Sequence, residues 1–135
     1  MKRMLGLAIV VFMAVTHNVM AVDDGQTRPK ANYASTNSWS TYVDLVPTTN
    51  GSGNVKGIQC VTDPALPSVV VFYVDGGAAQ TVTLEAMVPL DSAATTHYTG
   101  WVPFNIRFAS SIRIQIRKGS VITGSISCGA SWALD

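Results

Sequence analysis

The chain has 135 residues, 47% of them hydrophobic and 13% charged, which suits one domain and is too apolar for an intrinsically disordered segment. A multidomain enzyme is excluded by length alone. Nine basic residues against eight acidic leave a formal charge of +1, which disfavours a nucleic-acid binder that neutralises phosphates along a broad basic face.

Residues 1–21 read differently from the rest. Lys2 and Arg3 precede an unbroken apolar run from Leu5 to Val15, and Val19-Met20-Ala21 supplies a small-residue cleavage site, the pattern of an export signal. That run of 11 residues is well short of the roughly 20 that a membrane-spanning helix needs. A cleaved signal is therefore expected rather than an anchor, with no span in the mature chain. The first cysteine is Cys60, so no thiol follows the run for lipid attachment. The mature protein starts near Val22 and is expected to be exported, whether periplasmic, extracellular or surface-associated. Without Lys2 and Arg3, seven basic residues face eight acidic ones. Little net repulsion then keeps copies apart, which is compatible with self-association.

Residues 22–38 are polar, with one proline and no periodicity, and are expected to form an extended or mobile arm rather than a strand. Residues 39–135 form the domain. A first strand is expected at Trp39 to Val46, followed by a loop with an Asn50-Gly51 turn signal. Asn50-Gly51-Ser52 also matches a glycosylation sequon. Val55 to Thr62 makes a second strand, Asp63 to Pro67 a turn, and Ser68 to Val74 a continuous apolar run suited to a strand buried on both faces. Asp75-Gly76-Gly77 supplies the positive backbone dihedrals of a hairpin turn into Gln80 to Val88. Pro89 to Thr96 is expected to carry the chain from one sheet to the other.

Beyond Trp101 the alternation is clean. Phe104, Ile106 and Phe108 share one face, as do Ile112, Ile114 and Ile116, and then Ile122, Ile126 and Cys128. Matched faces and short loops at Ala109-Ser110-Ser111 and Lys118-Gly119-Ser120 predict a three-stranded meander. The fold class is accordingly all-β, a single antiparallel β-sandwich or jelly-roll-like domain. Two cysteines in an exported chain favour a Cys60–Cys128 disulfide over two buried free thiols. With Cys60 in the facing sheet, that bond would pin one sheet to the other.

Candidate chemistry is sparse. His97 is the only histidine after the signal and has no second ligand at metal spacing, so no metal or other cofactor is expected. Asp91 and a serine can be written beside it, but no strained nucleophile turn accompanies them. Glu85 is the only glutamate, and Asp44, Asp63, Asp75 and Asp91 fall at turns where Asp serves the backbone. No catalytic set emerges. Four of the seven mature basic residues, Arg107, Arg113, Arg117 and Lys118, cluster late in the chain. In the meander register Arg107 opposes Arg113, a like-charge pair that costs stability unless an anionic group or a subunit interface meets it. Tyr98 and Trp101 flank Gly100 and could stack on a ligand such as carbohydrate. Contact rather than catalysis is the expectation: a subunit of a surface layer, fibre or virion-type assembly, or alternatively a small secreted binding module for carbohydrate or a cell-surface ligand.

Overall fold

The computed structural model describes residues 30–90 and 95–135; the expected signal segment and residues 22–29 of the expected arm lie outside them. The strands are β1 (Lys30–Thr36), β2 (Val43–Asn50), β3 (Gly53–Asp63), β4 (Ser68–Val74), β5 (Gln80–Leu84), β6 (Val88–Pro89), β7 (His97–Tyr98), β8 (Val102–Phe108), β9 (Ser111–Lys118) and β10 (Ser125–Leu134). No helix occurs among the described residues. Every pairing is antiparallel. One sheet, here sheet A, runs β1-β10-β3-β7-β6 with β8 also paired to β3, and sheet B runs β2-β9-β4-β5. The two pack face to face as a β-sandwich.

Alternation of side chains builds the layer between them. Ile112, Ile114 and Ile116 of β9 are fully buried, with Arg113, Gln115 and Arg117 on the other side of the strand. Val70 and Phe72 of β4 join them from sheet B; Val55, Ile58, Cys60, Ile126 and Phe108 come from sheet A. Phe72 meets Phe104 of β8 across the layer, with ring centroids 4.9 Å apart. The apolar run of β4 is buried on both faces as its sequence implies: Val69 and Val71, on the outer side, lie opposite Arg117 and Gln115 of β9, whose aliphatic stems can cover apolar neighbours. The β4–β5 hairpin also forms as expected, from Ser68↔Leu84 to Phe72↔Gln80.

Four expectations require correction. Lys30–Thr36 is a strand, paired along its length with β10 from Lys30↔Trp132 to Thr36↔Ile126. Its half-buried residues are Asn32, Ala34 and Thr36, so it carries no apolar alternation to read. The meander does not form. β8 pairs with β3, β9 with β2 and β4, and β10 with β1 and β3; the chain changes sheet at Ala109–Ser110 and again between β9 and β10. Matched inward faces are equally consistent with neighbours in opposite sheets, since both line the same core. The passage from sheet B to sheet A occupies Glu85–Met87, between β5 and β6, rather than Pro89 to Thr96. Finally, Cys60 and Cys128 are directly opposed on adjacent strands β3 and β10, with Cα atoms 4.1 Å apart and sulfurs bonded at 2.05 Å. The disulfide lies within sheet A and does not join the sheets.

Candidate interaction surfaces

The separation of β8 and β9 into different sheets takes the expected arginine cluster apart. Arg107 stands opposite Asn54 on sheet A, and its guanidinium forks onto Asp135, with Nη1 2.8 Å from Oδ1. Arg113 belongs to the outer face of sheet B. Its Nε donates to Asp44 Oδ1 at 2.9 Å, the same oxygen accepts Gln115 Nε2 at 3.0 Å, and the guanidinium lies 5.8 Å from the Tyr73 ring centroid. The bond from Arg113 holds the Asp44 carboxyl below its ordinary value; partial burial opposes that shift, and the bond from Gln115 adds to it. Arg117 sits 5.3 Å from the Tyr42 ring centroid and donates to the carbonyls of Trp39 and Lys118. Each arginine thus has an intramolecular partner, so the like-charge argument for an anionic ligand falls with the register that motivated it.

Lys118 leaves the group altogether. It is 3% exposed, because position 118 continues the inward series of Ile112, Ile114 and Ile116. Its Nζ donates to the carbonyls of Ile122 at 2.7 Å and Gly124 at 3.2 Å, and its backbone N–H donates to the Ser38 carbonyl. It closes one end of the sandwich by satisfying the loop between β9 and β10, and offers no charge to a partner's surface.

The aromatic residues organise the outer face of sheet A. Trp101 follows Gly100, whose φ of +71° lets the chain turn between β7 and β8. The Trp101 ring lies directly over Gly57 of β3: a Cβ there would stand 2.5 Å from Trp101 Cζ2. Half of Trp101 remains exposed, and Tyr98, opposite Val61, is half-buried. Gly57 and Val61 are four residues apart, about 13 Å along an extended strand, so Tyr98 and Trp101 do not form one stacking surface.

A nearer partner for Trp101 comes from β1. Tyr33, 78% exposed, lies over Gly129 of β10, where a Cβ would meet its Cε1 at 2.7 Å. Gln59 pairs with Gly129 and Ser131 with Gly57, so the two glycines are diagonal neighbours across β3 and β10, about 7–8 Å apart. Each ring rests on a glycine and turns its other side to solvent. Gln59 and Ser131 flank the diagonal between them, and Ser127 and Val61 lie beyond Tyr33, where an open hollow of about 150 Å³ adjoins its ring. None of these side chains is charged; exposed Lys56 sits at the β3 bulge next to Gly57, and the Arg107–Asp135 pair and Asp63 stand towards opposite ends of the face. Sequence reasoning missed Tyr33 by assigning it to the arm. The available signal was glycine in the interior of two strands, which marks close approach by another group.

His97 pairs with Thr62 in β3, and its Nδ1 lies 3.1 Å from the Thr95 carbonyl oxygen. No group of three His, Cys, Asp or Glu side chains placed to hold a metal ion occurs among the described residues. Asp75, at φ +53°, fastens the β4–β5 turn to the β8–β9 turn. Its Oδ1 accepts the backbone N–H groups of Ala109, Ser110 and Ser111 at 2.8, 2.7 and 3.1 Å and the Ser110 hydroxyl at 3.1 Å. Those donors, Ser110 N–H foremost, hold the carboxyl below its ordinary value.

The sequence matches no family model and no curated protein. Among solved structures the fold is similar to a chain of the cyanophage Pam1 capsid asymmetric unit, with 12% sequence identity, a TM-score of 0.41, and coverage of 82% of this chain and 88% of that one.

Proposed function

We propose that the protein is a non-catalytic, exported structural subunit that works by packing against other protein surfaces in a surface or virion-type assembly. The observation that carries this reading is the outer face of sheet A. Depletion of charge with enrichment in Tyr and Trp distinguishes the centre of protein interfaces from ordinary surface. Here Tyr33 and Trp101 stand on glycines above a floor of serine, glutamine and valine. The near-neutral mature charge supports the same reading.

The test is the native mass of the mature chain, residues 22–135, at two concentrations and two salt levels, beside Tyr33→Ser and Gly129→Ala. In Gly129→Ala the new methyl displaces only the free end of the Tyr33 side chain, so the fold should survive. Association that persists in salt and weakens in both variants supports this face. Association abolished by salt points instead to Arg113 and Arg117. A chain monomeric at every concentration overturns the assembly reading. The half-exposed Trp101 ring favours one second reading, carbohydrate stacking at Trp101 alone; glycan binding by the monomer, lost in Trp101→Ala, would select it.

A further inference from the structure

We propose that copies of this protein pair through strand β5, antiparallel about a two-fold axis at Val82, extending sheet B from four strands to eight. The proposal rests on the assembly reading above and names one contact by which copies meet. β5 is the last strand of sheet B, and among the described residues its outward backbone groups have no partner. Such a row of unpaired N–H and C=O groups is a template for another strand unless something blunts it.

The other edges are blunted. β2 carries Pro47 and two register shifts, β6 ends at Pro89, and β8 contains Pro103 and Asn105, the latter at φ +50°. β1 lies against β2 of the opposite sheet on a flank closed by the Ser38–Lys118 backbone bond. β5 reads Gln-Thr-Val-Thr-Leu, with no proline, no charge and no bulge. A two-fold axis imposes a strict condition, because every residue meets its own copy or its mirror position. Around Val82, Thr81 of one copy faces Thr83 of the other, Gln80 faces Leu84, and Glu85 faces Ala79, so no like charges oppose each other. The segment following β5 adds apolar surface on the same flank, with Met87 80%, Val88 42% and Leu90 53% exposed. Main-chain pairing would thus be flanked by apolar contact.

The test uses the mature chain. Val82→Cys places two thiols on the axis with Cα atoms about 4.5–5.5 Å apart, within disulfide range. Thr81→Lys/Thr83→Lys, at two exposed positions, sets lysines of one copy against lysines of the other and should leave the melting temperature of the monomer unchanged. The expected result is a Val82→Cys dimer under mild oxidation that runs as monomer after reduction. The double lysine variant should sediment as a smaller species than wild type at equal concentration. If wild type and the double lysine variant associate equally, the β5 pairing is overturned while the assembly reading stands. If wild type is monomeric throughout, both are overturned.

Discussion

Reducing the Cys60–Cys128 bond should cost about 4 kcal/mol of unfolding free energy, almost all of it by releasing the unfolded chain. The two cysteines are 68 positions apart, and closing a loop of that length removes entropy from the denatured state worth roughly 4 kcal/mol on the chain-entropy account. In the folded state little changes, because β3 and β10 are paired from Gly53↔Leu134 to Asp63↔Ser125 regardless of the bond, and both cysteines are buried in the core as thiols or as disulfide. The assay is urea unfolding with and without reductant, followed by the fluorescence of Trp132, which is 4% exposed and should shift on unfolding. At a slope of about 2 kcal/mol per molar urea, the midpoint should fall by about 2 M. The reduced protein should keep its native spectrum in buffer if its margin exceeds the loss, against an ordinary total of about 5–15 kcal/mol. A loss below about 1 kcal/mol would refute the reasoning: the denatured chain would then already hold residues 60 and 128 close together.

Backbone geometry separates two glycine substitutions. Gly124→Ala puts a Cβ 2.4 Å from the Asp63 carbonyl oxygen and 2.6 Å from Pro64 Cδ at φ +151°, so a loss above about 2 kcal/mol is expected in thermal melts. Gly76→Ala meets nothing within 4 Å at φ +68° and should cost only about 1 kcal/mol of left-handed backbone penalty. Lys118→Ala removes a buried stem and both donors to the Ile122 and Gly124 carbonyls, with an expected loss of about 2–3 kcal/mol by denaturant titration. Asp75, held below its ordinary pKa in the folded state, contributes stability that is present above the unfolded value and disappears as pH falls through the lowered folded one. Asp75→Asn keeps an acceptor oxygen but no titrating group, so its melting temperature should decline less steeply than wild type below about pH 4; equal slopes would show that Asp75 does not contribute.

Period-2 alternation made β5, β8 and β9 readable, since their inward residues are mostly large and apolar and their outward ones mostly polar, while β4 was readable as an unbroken apolar run. β1 was not readable because Asn32, Ala34 and Thr36 face inward at an edge where a small or polar residue suffices; Asn32 even serves there as acceptor for the Trp132 indole at 3.0 Å. Pro47 and the irregular register of β2 likewise made its second half look like a loop. Face parity identifies which side of a strand points to the core but not which sheet the strand joins. That single ambiguity produced the meander, the Arg107/Arg113 pair and the inter-sheet disulfide together. Trp101 was visible as an exposed aromatic in a loop, whereas its partnership with Tyr33 depends on β1 and β10 being adjacent, as in the bond between Ser35 and Ser127 across 92 positions of chain.

The place of β10 has a consequence for the order of events in the life of the chain. The last described strand is an interior one, seated between β1 and β3, so sheet A lacks its middle until residues 125–134 arrive. Everything before Ser125 can collapse but has no neighbour to complete β1, whose only strand partner among the described residues is β10. Topologies dominated by such distant pairings fold slowly. The Cys60–Cys128 bond depends on the same strand, so sheet A cannot be closed covalently before residue 128 has been added.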